Sequence, residues 1–108
     1  MKRYLLAASL FAAAFAQPAQ AQTTVRRVLL LCTMEDPQCG PALRQAEQEA
    51  RHHPNLGGQT CVIEHHIPIA RVYHAFMEAM MPGAVGNTLA EAPAWYGMWV
   101  SLHADSLC

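Results

Sequence analysis

The side chains with chemistry in them crowd into one stretch, Gly58 to Met81. Glu64, His65 and His66 are adjacent. His74 and Glu78 stand four apart, and Met77, Met80 and Met81 lie beside them. Imidazole and carboxylate suit zinc, copper or nickel, and thioethers add soft donors for Cu(I). The stretch therefore offers one metal set: His65 or His66, with His74, Met77 and Met81. Adjacent residues of a strand point to opposite faces, so His65 and His66 cannot both reach one ion from a regular strand. The plainer account puts Met80 in the core, Met77 and Met81 on its flanks and His74 in solvent, because methionine is a common gap-filler in cores. His52 and His53 sit where a helix should end, a place where cations are mildly stabilising.

Sulfur is the other candidate. Cys32, Cys39, Cys61 and Cys108 are even in number, which in a small exported domain reads as two disulfides. No C-x-x-C spacing is present, so a zinc ribbon does not fit. Three pairings are open, and the expected elements favour Cys39–Cys108 with Cys32–Cys61. The apolar run before Cys39-Gly40-Pro41, and the helix after it, resembles the start of a thioredoxin-like domain between Val25 and Arg51. That resemblance implies a thiol activated by a helix N-terminus. The partner cysteine of that family's motif is replaced by Ala42, so Cys39 would act alone or with Cys32, and structural disulfides are the preferred reading. No G-x-S-x-G elbow, phosphate loop or dinucleotide fingerprint appears.

The compartment follows from the start of the chain. Lys2 and Arg3, an apolar run from Leu5 to Ala16, and Ala19-Gln20-Ala21 have the pattern of a secretory signal. Residues 1–21 are expected to be removed. Residues 22–108 are then a single exported domain, periplasmic or secreted, with no further run long enough to span a bilayer. What is left holds five arginines, no lysine and eight acids, a formal charge of −3 with neutral histidine. That charge excludes a nucleic-acid footprint, which needs clustered basic residues. A domain this small has a marginal core and commonly adds staples.

The elements that would position these residues read as strand, helix, strand, helix, helix. Val25 to Cys32 is a short apolar run of strand length. Pro41 suits the first turn of a helix ending near His52, before Pro54. In that helix Leu43, Ala46 and Ala50 share a thin apolar side, and Glu47 and Arg51 stand four apart and can pair weakly. Asn55-Leu56-Gly57-Gly58 reads as a loop. Thr60 to Ile67 alternates, with Cys61, Ile63, His65 and Ile67 facing inward. From Ile69 the period turns helical, with Val72, Tyr73, Phe76 and Met80 on its apolar side, until Pro82. A last helix, about Pro93 to Ser106, is apolar on two sides, with Gly97, Ser101 and Asp105 as a narrow polar stripe. It should be central or an interface.

The sequence thus predicts a small α/β fold: a βαβ unit followed by two helices, stapled by disulfides, with a mostly α-helical disulfide-stapled domain as the alternative. The function expected is that of a binding or interaction protein without catalytic activity. Its partner would be another protein, and self-association is also open to it. It would be met through Trp95, Trp99 and Leu102 of the last helix or through the open strand edge. A periplasmic protein binding copper, zinc or nickel is the second reading, and a thiol–disulfide redox protein the third.

Overall fold

The computed structural model describes residues 23–82 and 88–108; the expected secretory signal and residues 83–87 lie outside them. Helix α1 spans Val25–Thr33 and α2 spans Cys39–Ala50. A hairpin of β1 (Asn55–Leu56) and β2 (Gln59–Thr60) follows, then α3 (Ile69–Met80) and α4 (Ala94–Ala104). The βαβ unit is therefore wrong. The described residues hold four named helices, and their one sheet is a two-residue antiparallel hairpin.

Two local causes overturn the first strand. Thr24 caps α1, its hydroxyl accepting the Arg27 N–H at 3.2 Å. Val25, Val28 and Cys32 are the buried residues of this segment, a helical spacing that leaves Arg26 and Arg27 exposed between the first two. The second strand fails for another reason. Gly57 and Gly58 both have positive φ, 55° and 80°, so the Gly-Gly pair makes a tight hairpin turn before the expected strand begins. Asn55 pairs with Thr60 and Leu56 with Gln59. Beyond Cys61 the chain runs on without a strand partner. Its carbonyls are met instead by arginines. Arg51 donates to the Ile63 and His65 carbonyls at 3.1 and 2.9 Å, and Arg44 to the Ile67 carbonyl at 2.9 Å.

The arginines are held in turn by Glu47. This residue, read from sequence only as half of a weak helix pair, is just 1% exposed. Arg44 Nη1 reaches one of its carboxylate oxygens at 2.7 Å and Arg51 Nε takes the other. Glu47 thus sits in α2 as the hub of a clamp over the 61–68 segment. Cys61 and Ile67 at the ends of that segment are buried, and Glu64, His65 and His66 between them are exposed.

Helix α4 is the centre and packs against α1, α2 and α3. Its supposed polar stripe is in fact its tightest contact. Gly97 and Ser101 are buried, and the Ser101 hydroxyl donates to the Gly97 carbonyl at 2.7 Å. A Cβ on Gly97 would lie 2.5 Å from Val25 Cγ2 and 3.2 Å from Met80 Sδ. Only the missing side chain lets α1 and α3 approach this closely. Around that crossing the core gathers Val25, Val28, Leu43, Val72, Phe76, Met80, Met98 and Leu102.

The disulfides also differ from the favoured pairing. Cys32 bonds Cys39 and Cys61 bonds Cys108, with Cα–Cα distances of 4.8 and 5.0 Å. Once Val25–Thr33 is a helix, Cys32 lies in its last turn and faces Cys39 at the start of α2 across a short loop. The remaining pair ties the final residue to the segment that follows the hairpin.

Candidate functional site

The metal candidates are dispersed by this fold. His65 and His66 are exposed on the clamped segment, where Glu64 joins them around a hollow lined also by Arg44, Gln48 and Arg51. Arg51 already spends its donors on Glu47 and two carbonyls. His74 lies on α3, where its Nε2 meets Glu78 Oε2 at 2.8 Å in an exposed pair. Met77 is half-buried and Met81 exposed on the same helix. Among the described residues no three histidines, cysteines or acids are gathered around a point where an ion could sit.

The aromatic candidates turn inward. Leu102 is fully buried and Trp99 is 4% exposed. The Trp99 indole N–H donates to the His53 carbonyl at 2.6 Å, and its ring stacks on His103 with centroids 5.2 Å apart. Trp95 is half-buried. It stacks on the His53 ring at 3.9 Å and meets Tyr96 edge-on at 5.9 Å. The two tryptophans thus fasten α4 to the His52–His53 turn at the end of α2. His53, read from sequence as a helix-end cation, is the platform between them. Of Trp95, Trp99 and Leu102, only Trp95 keeps an open edge.

The thioredoxin-like start is absent, because the segment before Cys39 is a helix and the Cys39 sulfur is bonded to Cys32. All four cysteines are paired.

What the sequence reading missed lies on α3. Its buried side is Val72, Ala75, Phe76 and Met80. Ile69 and Tyr73, both expected on the apolar side, turn outward with 40% and 42% exposure. With Met77 and with Met81, which is 50% exposed, they form a row at four-residue intervals along the outer side of the helix. Met81 keeps helical φ and ψ and donates its N–H to the Met77 carbonyl, so the row continues past the end of α3. Arg71, His74 and Glu78 flank it on the solvent side. The signal was present as an apolar arc too wide for one buried face.

Comparison with known protein families, characterised proteins and solved structures finds no match for this chain. No described helix is long and apolar enough to cross a membrane.

Proposed function

We propose that this chain is a small exported binding protein without catalytic activity, and that it meets another protein through the outer side of α3. The observation that carries this reading is the row Ile69, Tyr73, Met77 and Met81. Three of its members keep 40% or more of their surface open to solvent on a frame braced by two disulfides. Exposed contiguous apolar surface marks interaction sites on small proteins. Residues at i, i+4 and i+8 are how a helix presents anchors to a partner. The disulfides suit an oxidising compartment beyond the inner membrane, periplasmic or secreted. The surface first expected, at Trp95, Trp99 and Leu102, gives way to α3 because two of those three side chains are core.

The test is site-specific photo-crosslinking of the exported protein in its own cells. A photoreactive residue replaces Tyr73 in one variant and exposed Gln48 in another, and adducts are identified by mass spectrometry. We expect one defined protein adduct from position 73 and none from position 48. No adduct at 73, or the same adducts from both positions, removes the reading.

A further inference from the structure

We infer that the exported chain begins at Gln22 and that this residue closes to a pyroglutamyl lactam, which guards the join between α1 and α4. The inference rests on the export in the reading above and is independent of the α3 surface. Two constraints meet at this residue. The small-x-small pattern Ala19-Gln20-Ala21 places cleavage directly before Gln22. The fold sets the other limit, because the described backbone bonds that tie the start of the chain to α4 begin at Thr23. The Thr23 carbonyl accepts the N–H of Ala94, the first residue of α4, at 2.6 Å. Thr24 bridges to Pro93 and caps α1 with its hydroxyl. Val25 and Arg26 donate their N–H groups to the Ala92 and Ala90 carbonyls at 3.0 and 2.9 Å. A cut within residues 23–26 would strip the cap from α1 and unfasten it from the start of α4. Gln22 itself lies outside the described residues; its covalent chemistry is fixed by its type.

A glutamine at the start of a chain carries its own nucleophile and its own leaving group. The neutral α-amine nitrogen attacks the side-chain Cδ, and a C–N bond forms that closes an unstrained lactam. The Cδ–Nε2 bond breaks, and the amide nitrogen leaves as ammonia with one proton taken from the amine. Both reacting groups belong to one residue, so the step is unimolecular and keeps the advantage of held proximity. It changes no oxidation state and needs no second reactant.

The product has no α-ammonium, the group by which aminopeptidases hold a chain end. Proteolysis concentrates at termini, and here the first residues are not spare. Removal of Gln22 would open Thr23 and Thr24 to the next cuts, and with them the bond to Ala94 and the cap of α1. Val25 follows directly; it is fully buried and lies against the Gly97 crossing at the centre of the fold. The lactam therefore stands in front of residues on which the packing of α1 against α4 depends.

The test is the intact mass of the protein exported by its own cells, extracted cold and without reductant. We expect the mass of residues 22–108, less the hydrogens of two disulfides and less one ammonia. Fragmentation should place the ammonia loss on the first residue, and Gln22→Ala should abolish it. A broad-specificity aminopeptidase should leave the native wild-type chain at full length and shorten Gln22→Ala. A mature chain that retains its ammonia, a first residue other than 22, or a loss that survives Gln22→Ala overturns the inference. Trimming of both chains at one rate, or of neither, overturns the guarding role. A chain that keeps residues 1–21 removes export and lactam together, whereas an exported chain with an open Gln22 removes the lactam alone. Crosslinking from position 73 reports on the partner separately from either result.

Discussion

At the scale of single residues, Glu47 departs furthest from its reading in sequence. A glutamate four residues before an arginine on a helix is ordinarily an exposed pair worth a few tenths of a kcal/mol. Here its carboxylate is buried between two guanidinium groups that also satisfy three carbonyls of the 61–68 segment. Removing one member of such a network leaves the others uncompensated, which costs about 3–5 kcal/mol when all are buried. Arg44 and Arg51 retain about a quarter of their side-chain exposure, so water recovers part of that loss. We expect Glu47→Ala to destabilise by about 2–3 kcal/mol in urea unfolding. Gln48→Ala, on the exposed side of the same helix, should stay within about 0.5 kcal/mol. Glu47→Ala should also speed amide exchange at 62–66, because the arginines lose the anchor that aims them at those carbonyls. Unchanged exchange there would show that the segment is held by Cys61 and Ile67 alone. Nothing in the local sequence separates this glutamate from a surface one. The distinction lies in the carbonyls of residues 16 to 20 positions further on, which need donors once no strand pairs with them.

At the scale of elements, legibility depended on whether local signals agreed. The helices over 39–50, 69–80 and 94–104 could be read because period, prolines and loop residues pointed the same way. The segment 25–33 could not be read from hydrophobicity alone, since nine residues with a continuous apolar run fit either a buried strand or a short helix. The capping threonine was the deciding signal. The outward turn of Ile69 and Tyr73 was hidden for a related reason. An apolar arc shows which residues can be buried, and the number of neighbouring helices decides which ones are. Gly97 gives this scale its prediction. In an open helix, Gly→Ala gains about 1 kcal/mol. At Gly97 the added methyl would press on Val25 and Met80, and overpacking of a core contact costs about 1–3 kcal/mol. We expect Gly97→Ala to lower stability by about 1–2 kcal/mol. Combined with Val25→Ala, which clears the nearer contact, it should cost less than the two single changes added together. Simple additivity in the double-mutant cycle would mean that the α1–α4 crossing relaxes freely and that Gly97 has no steric role.

At the scale of the whole molecule, the two disulfides carry unequal weight. Cys32–Cys39 closes a loop with a sequence separation of 7, linking two helices that are already adjacent in the chain. Cys61–Cys108 spans a separation of 47 and encloses α3 and α4. Chain-entropy arguments assign about 2 kcal/mol to the first and about 4 kcal/mol to the second. A domain of this size has a stability of only about 5–10 kcal/mol, so the second bond is a large share of the whole. It also acts at a vulnerable place, because the 61–68 segment has no strand partner among the described residues. We therefore expect Cys61→Ser with Cys108→Ser to shift the urea midpoint far more than Cys32→Ser with Cys39→Ser. The larger loss should appear first as exchange of α4 amides and as release of the Trp99–His53 hydrogen bond, seen in tryptophan fluorescence. Equal shifts for the two pairs would mean that the core around α4 holds the C-terminal half without its staple. The α3 surface would then rest on helix packing alone, and partner binding should survive reduction.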